Sequence, residues 1–282
     1  MLEPTFIWEF LMREVQYKVK YQTNSPLRSF AHLETAMLPS STPPHPTPMV
    51  AFSAFTRGTG RSTLIAALAL RLAQSKRVLV VDTDLTAPKM HTLLGLSSSS
   101  AKITLNDFFV GLADLKDTLN VLQSHPTGAL MLISASDDTE QVAFCLRESY
   151  RVESLFPPLH ALCKRENIDI VLLDMPAGLS DTTLPVIALS DALWVVMRLD
   201  VRDYEGVAVT LDVTRRLEPR PLNLVVNLVQ GHPLEDVERQ VSSTYACPSY
   251  ALPFVAPLTG SLESEQRLHS LANALLKQQK IY

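Results

Sequence analysis

The chain has 282 residues, of which 46% are hydrophobic and 19% charged, a composition typical of a globular fold with a sizeable core. Its formal net charge of −4 argues against a globally basic nucleic-acid-binding protein. The sequence contains no apolar run of about 18 residues, so we expect no transmembrane helix. Three cysteines, an odd number without metal-binding spacing, favour buried reduced thiols and a reducing compartment.

The first 48 residues differ in composition from the rest of the chain. Apolar residues at helical spacing predict an amphipathic helix over residues 1–20, and the proline-rich residues 39–48 follow as a linker. Acidic residues interrupt the start and no basic segment opens it, so we do not interpret it as a secretory signal. A packing extension, an upstream start before Met49 and a docking segment for a protein partner all stay open. We predict an extension and linker over residues 1–48 and one domain over residues 49–282.

A phosphate-binding loop is predicted at the start of this domain. The apolar residues 49–54 predict a buried strand, a glycine-containing turn follows, and residues 62–74 are strongly helical. In such a unit, free backbone N–H groups and the helix dipole point at one spot and favour an anion. Against the P-loop pattern G-x-x-x-x-G-K-[ST], Gly60 and Ser62 match, whereas Phe55 replaces the first glycine and Arg61 replaces the lysine.

Polar residues end three of the later predicted strands. Asp82 ends one strand and is followed by Asp84, Asp174 ends a second before a Pro/Gly turn, and Asn227 ends a third. Strands alternate with helical stretches, which predicts an α/β fold with a doubly wound, mostly parallel sheet and helices on both faces. The later strands are predicted over residues 78–82, 129–135, 169–174, 193–198, 222–227 and 250–254, and two of the helices over residues 103–119 and 263–279.

In this order and spacing, the loop and the strand ends resemble the MinD/ParA family of P-loop ATPases, with a degenerate P-loop. The resemblance covers residues 49–275. It implies a switch protein that binds an adenine nucleotide, ATP or ADP, together with Mg²⁺. It also implies an ATP-dependent dimer used in positioning or partitioning of a cellular cargo. The loop residues that would line the nucleotide are Arg57, Gly58, Thr59, Gly60, Arg61, Ser62 and Thr63.

The resemblance further implies individual roles for polar residues. Asp84 would position the attacking water, and Asn227, with the loop at Pro253, would read the adenine. The alternative for Asp82 and Asp84 is a pair of strand-end carboxylates that cap the next turn. The ligands implied for the metal are Ser62, Asp84 and Asp174.

Departures from the family pattern predict weak hydrolysis. Thr56 stands where the family has a lysine that crosses the dimer interface, and Arg57 beside it is the candidate to replace that contact. Arg61 is the second catalytic candidate after Asp84, but a planar guanidinium does not substitute freely for a compact ammonium. We therefore expect nucleotide binding with slow or absent turnover. The alternative is a pseudo-ATPase, a regulatory or scaffolding subunit that binds a partner without turnover.

The expected partners follow from the same features. We expect a homodimer, or a heterodimer with an active homologue, and a protein partner on residues 1–48. Non-specific DNA is only weakly supported, because Arg215, Arg216 and Arg220 stand at a helix end, where cations suit the dipole. The closing helix has few basic residues, so attachment to a membrane through it is not expected. The expected location is the cytoplasm.

Overall fold

The computed structural model describes residues 47–96, 103–147, 150–217, 220–254 and 262–278. The predicted amphipathic helix over residues 1–20 and most of the proline-rich linker lie outside these residues. The division of the chain at residue 48 therefore stays a prediction.

The described residues build one mixed sheet with helices packed against it. Its order is β3-β4-β2-β5-β1-β6-β7-β8, and every neighbouring pair is parallel except β3 with β4. The strands are β1 Met49–Ser53, β2 Arg77–Asp82, β3 Leu119–Ser124, β4 Ala129–Ile133, β5 Ile170–Asp174, β6 Ala192–Met197, β7 Leu222–Val229 and β8 Ser249–Pro253.

Helices connect the parallel strands, as crossover connections require. Two short 3₁₀ turns, Leu115–Thr118 and Val152–Leu155, precede β3 and the fifth helix. The helices are α1 Arg61–Leu72, α2 Met90–Leu93, α3 Leu105–Phe109, α4 Thr139–Arg147, α5 Phe156–Glu166, α6 Thr183–Leu189, α7 Val201–Leu217, α8 Leu234–Tyr245 and α9 Leu262–Gln278.

The central strands are covered on both faces. Every residue of β1, β4, β5 and β6 is buried, which explains why these strands are continuous apolar runs rather than alternating ones. On one face Trp194 stacks on Tyr250 with ring centroids 5.4 Å apart. Leu271 and Leu275 of α9 belong to the same apolar cluster as α1. The predicted doubly wound α/β fold is confirmed.

One predicted helix was wrong. Residues 103–119 were expected to be helical, but α3 ends at Phe109 and Gly111 follows with φ +76°, a conformation that favours glycine and stops a helix. The chain then forms β3, an edge strand that the sequence analysis missed. Its residues are only partly buried or exposed, so it lacks the continuous apolar run of the inner strands.

The described residues bear on two features expected from composition, the absence of a membrane span and the buried thiols. None of the described helices is long and apolar enough to cross a membrane. Cys145, Cys163 and Cys247 are buried free thiols. Burial raises the pKa of Cys163 to about 12, so this thiol stays protonated and unreactive near neutral pH.

The sheet brings the predicted site residues to one edge. β1 lies between β5 and β6, and β5 lies between β1 and β2. In the register of β2 with β5, Asp82 pairs with Asp174. Because parallel strands end at the same edge, the carboxyl ends of β2 and β5 and the loop after β1 lie together, where ligands of open α/β sheets bind.

Candidate functional site

The loop between β1 and α1 exposes the start of a helix to any ligand. Gly58 and Gly60 have φ of +81° and +79°, values that favour glycine. Gly60 ends the loop, and its carbonyl accepts the first helical bond from the Leu64 N–H at 2.9 Å. No side chain caps the N-terminus of α1, and its first turn has no acidic residue. The free N–H groups are therefore donors for an anion.

Asn227 of β7, two strands away from β1, holds this loop through its side chain. Its Nδ2 donates to the Thr59 carbonyl at 2.8 Å. The register of β7 with β8 shifts just after Val226, and the next residue after Asn227, Leu228, has φ +60°. A bulge of this kind aims a side chain out of the regular pleat. The structure thus brings Asn227 to the loop backbone, and its role in reading adenine stays a prediction.

Asp82 is a structural carboxylate. Its Oδ1 accepts from the Asp84 N–H at 3.1 Å, and its Oδ2 accepts from the N–H groups of Lys89 and Met90, each at 3.0 Å. Complete burial and the charge of Asp174 raise the pKa of Asp82 to about 8, although these three donors favour the ionised form. The alternative interpretation, a carboxylate that caps the next turn, therefore describes Asp82.

One oxygen of Asp84 accepts hydrogen bonds within the following turn, and the other faces the Arg61 guanidinium. Its Oδ1 accepts from the Thr86 hydroxyl at 2.8 Å and from the Ala87 N–H at 3.1 Å. Its Oδ2 lies 3.7 Å from Nη2 of Arg61. The residue is 7% exposed. Asp84 is thus near the loop as predicted, but one oxygen caps a turn and the other faces a cation.

Arg61 turns back into the sheet edge. The Arg61 Nε donates to Oδ1 of Asp174 at 2.5 Å, and only 8% of the residue is exposed. Burial raises the pKa of Asp174, and the Arg61 charge together with a hydrogen bond from Ser62 opposes that rise. A buried guanidinium requires such pairing, since an isolated buried charge is costly. The cation that replaces the Walker lysine is therefore bound to a carboxylate.

The three residues predicted to bind Mg²⁺, Ser62, Asp84 and Asp174, are engaged with other groups. Asp174 is bonded to Arg61 and to Ser62, and Asp84 faces the same guanidinium. A divalent ion on these oxygens would lie beside a fixed positive charge. In this conformation the three predicted ligands do not fit a bound Mg²⁺. Elsewhere among the described residues, no group of three or more His, Cys, Asp or Glu side chains could hold a metal.

Thr56, at the place of the family lysine, is tied down within its own chain. Its hydroxyl donates to Oδ1 of Asp203, which is 1% exposed. The Arg198 N–H and Nε donate to the other carboxylate oxygen of Asp203 at 2.8 and 3.2 Å. Arg198 also pairs with Asp200 at 2.9 Å. This network fastens the loop to the segment after β6.

The sequence analysis missed Arg198 and Asp203. A signal was available, because Arg198, Asp200 and Asp203 follow directly on the buried apolar strand β6. The carboxyl ends of parallel strands are where polar site residues gather. Charged residues at that position are therefore candidates for the site, as are those after β2 and β5.

Phe55, at the place of the first P-loop glycine, packs on a glycine of α7. A Cβ added to Gly206 would lie 1.9 Å from Cγ and 2.5 Å from Cβ of Phe55. The bulk that the loop gains at Phe55 is thus matched by a missing side chain on the facing helix. The phenyl ring remains 37% exposed.

The remaining predicted residues lie around the loop. Arg57 is exposed, and its Nη2 donates to the Thr86 hydroxyl at 3.4 Å. Thr59 is buried, and Thr63 is half-buried in the first turn of α1. Pro253 ends β8, and the Phe254 N–H after it donates to the Val229 carbonyl at 2.9 Å. The predicted role of Pro253 beside the adenine stays a prediction.

A family model described as an AAA domain (AAA_31) matches residues 47–226. The chain belongs to this AAA-domain family. A relative from Methanocaldococcus jannaschii, the uncharacterized ATP-binding protein MJ0547, is 30% identical over 179 residues, which are 63% of this chain and 63% of that protein. The matched region is thus less than two thirds of that relative's length. The chromosome-partitioning ATPase Soj of Thermus thermophilus is 29% identical over 201 residues, 67% of this chain and 73% of Soj.

Solved structures agree on the fold of this AAA-domain protein. The septum site-determining protein MinD of Pyrococcus horikoshii, complexed with Mg-ADP, superposes with a TM-score of 0.67 at 19% identity, over 81% of this chain and 96% of that one. The resemblance to the MinD/ParA P-loop proteins is confirmed. The AAA-domain match over residues 47–226 includes Phe55 and Arg61, the two positions where the chain departs from the P-loop pattern.

Proposed function

We propose that this chain is an adenine-nucleotide-binding switch protein of the MinD/ParA type with weak hydrolysis. The observation that carries the proposal is the uncapped start of α1, wrapped by a loop that two left-handed glycines shape and Asn227 holds. Backbone N–H groups at such a helix start bind phosphates. The relatives named for ATP binding, for Mg-ADP and for chromosome partitioning support the ligand class and a role in positioning a cargo.

Displacement of a fluorescent ADP analogue from the full chain tests the ligand class. We expect ATP and ADP to displace the analogue and GDP to do so more weakly. Equal displacement by all three nucleotides would retain the phosphate site and refute the adenine assignment. An analogue that never binds would refute nucleotide binding altogether.

Weak hydrolysis is proposed from the state of Arg61 and Asp84. The guanidinium is held by Asp174, and the carboxylate expected to position water also caps a turn. Phosphoryl transfer depends on placing these groups accurately. We expect Arg61→Lys to raise the ATP hydrolysis rate. A wild-type rate as high as that of Soj assayed in parallel, abolished by Asp84→Ala, would contradict this proposal.

The second candidate function is a pseudo-ATPase that regulates or scaffolds a partner. The buried contact of Arg61 with Asp174 favours it, because that contact engages a carboxylate predicted to bind Mg²⁺. The two functions differ in whether nucleotide changes assembly. A pseudo-ATPase binds its partner equally well with ADP, with ATP and without nucleotide.

Assembly is proposed to be an ATP-favoured homodimer, or a heterodimer with an active homologue, that depends on Arg57. Thr56 is engaged by Asp203 in its own chain, whereas Arg57 is exposed beside the loop. A long exposed cation can form charge-assisted bonds with the phosphate oxygens of a facing copy. Light scattering with and without ATP tests this. We expect Arg57→Ala to lower the dimer fraction. A wild-type chain that is a monomer under every condition would contradict this proposal.

Other surfaces receive less support as binding sites. Arg215 donates to the Tyr245 carbonyl, Arg216 pairs with Asp212 at 3.1 Å, and Arg220 donates to the Ser190 carbonyl at 2.7 Å. These arginines serve contacts within the chain, which disfavours a DNA surface there. The apolar face of α9 is packed in the core, which disfavours a membrane anchor. A cytoplasmic location and a protein partner on residues 1–48 remain part of the proposal.

A further inference from the structure

A buried cation lies where the resemblance implies Mg²⁺. The Arg61 guanidinium is bonded through Nε to Asp174 at 2.5 Å and faces Asp84 at 3.7 Å. These are the two carboxylates of the predicted metal set. The exposed fractions of the three side chains are 9% for Arg61, 1% for Asp174 and 10% for Asp84. The contact therefore lies inside the sheet edge and is not a solvated surface pair.

The local charges require one cation at this place. Asp82, Asp84 and Asp174 are all buried within the ends of β2 and β5. Carboxylates this close raise one another's pKa, and a nearby positive charge relieves the repulsion. Arg61 supplies that charge, and the hydrogen bond from Ser62 to Asp174 adds to it. The guanidinium thus occupies the space between Asp174 and Asp84 before any metal enters, and it would repel a divalent ion.

The shape of the Arg61 side chain allows it to bind phosphate oxygens as well as Asp174. Nε carries the bond to Asp174, so the two NH₂ groups of the fork are the part not used in that bond. Arg61 is also the first residue of α1, next to the free N–H groups of the helix start. A planar fork can bind a carboxylate with one edge and phosphate oxygens with another. An ammonium carries its three donors on one nitrogen, so it reaches both groups only where they lie around that single atom.

We propose that Arg61 takes the place of Mg²⁺ in this chain, joining Asp174 to the nucleotide phosphates, so that the nucleotide binds without a divalent metal. This inference rests on the proposed nucleotide binding at the loop. It assigns the site a ligand class, the metal-free nucleoside di- or triphosphate. It also gives a reason for an arginine at the position where the pattern has lysine.

Calorimetric titration of the full chain with ADP, in excess MgCl₂ and in excess EDTA, tests the proposal. We expect ADP to bind in EDTA at least as tightly as in MgCl₂, because Mg²⁺ in solution converts ADP to a complex that the site does not take. A wild-type affinity that Mg²⁺ raises by about threefold or more overturns the inference and leaves the proposed function intact. An absence of ADP binding in both buffers overturns the proposed function itself.

A substitution at Arg61 tests the cause. Arg61→Lys keeps the charge but loses the fork, and we expect Mg²⁺ to raise its ADP affinity by about tenfold. Arg71→Lys is the matched control, because Arg71 lies on the same helix in an exposed pair with Glu265. This control should bind ADP like the wild type in both buffers. If Mg²⁺ raises the ADP affinity of Arg61→Lys no more than that of the wild type, the guanidinium is not the cause and the inference fails.

A direct measurement on the wild type does not depend on any variant. Electron paramagnetic resonance reports free Mn²⁺, which substitutes for Mg²⁺ at oxygen ligands. At an ADP concentration equal to that of the chain, where calorimetry shows ADP to be bound, binding of metal-free ADP should release Mn²⁺ from its ADP complex and raise the free Mn²⁺ signal. An unchanged or lower free Mn²⁺ signal would show that the metal stays with the bound nucleotide and would overturn the proposal.

Discussion

The contact of Phe55 with Gly206 predicts a strong coupling between the P-loop and α7. Gly206 lies inside a 17-residue helix, where replacing glycine by alanine stabilises a protein by about 1 kcal/mol when space allows. Here the added Cβ would lie 1.9 Å from Cγ and 2.5 Å from Cβ of Phe55, well inside van der Waals contact. Overpacking of this kind costs about 1–3 kcal/mol. Gly206→Ala should therefore be neutral or destabilising by up to about 2 kcal/mol.

The same change should have the opposite sign when Phe55 is removed. Phe55→Gly restores the residue of the P-loop pattern and deletes the Cβ as well as the ring. In that background Gly206→Ala meets no side chain at position 55 and should stabilise the chain by about 1 kcal/mol. The predicted coupling in a double-mutant cycle is therefore about 1–3 kcal/mol.

Urea unfolding of the four proteins, followed by circular dichroism, measures this coupling. The unfolding free energies are compared only if the four proteins have the same slope of free energy against urea concentration, since a changed slope would indicate a changed unfolded state. A coupling below about 0.5 kcal/mol, the range in which independent sites are additive, would refute the proposed packing of Phe55 on Gly206.

Two further predictions concern the stability of the site. Gly60 and Gly111 have φ of +79° and +76°, so alanine at either position carries a similar backbone cost. Of the two, only the new Cβ at Gly60 would meet a neighbour, Asn227 Nδ2 at 2.5 Å. Gly60→Ala should therefore lower the unfolding free energy by about 1 kcal/mol more than Gly111→Ala does. The pKa of Asp82 is raised to about 8, so the folded chain holds a proton that the unfolded chain releases, and stability should fall as pH rises from about 4 to 8. Urea midpoints across that range should fall less steeply for Asp82→Asn; an equal slope would contradict the raised pKa.

Seven of the described strands could be predicted because their sequences leave little choice. Runs such as residues 170–173 and 192–197 are apolar throughout, since both faces of a central parallel strand are buried. β3 could not be predicted in the same way, because an edge strand with exposed positions such as Val121 gives no continuous signal. Its neighbour β4 supplies the pairing that the local sequence does not specify.

In the candidate site, too, the residues with a local sequence pattern could be predicted and the long-range contacts could not. Gly60, Ser62, Asp174 and Asn227 follow from local patterns, since each stands at a strand end or helix start. The contacts between them join distant parts of the chain, and no local pattern encodes those. Arg61 reaches Asp174 across 113 positions, and Thr56 reaches Asp203 across 147. The sequence therefore predicted a positive charge at Arg61 but not the direction in which its side chain points.

Nucleotide binding by the loop after β1 is measured by calorimetry of the wild-type chain with ADP, which reports affinity and stoichiometry without any assumption about turnover. We predict saturable binding of one nucleotide per chain, since the loop after β1 and the start of α1 form one phosphate site. Gly60→Ala should weaken that binding, because the new Cβ displaces Asn227 from the loop, whereas Gly111→Ala, with its open surroundings, should not. An absence of saturable heat at millimolar ADP would contradict nucleotide binding at this loop.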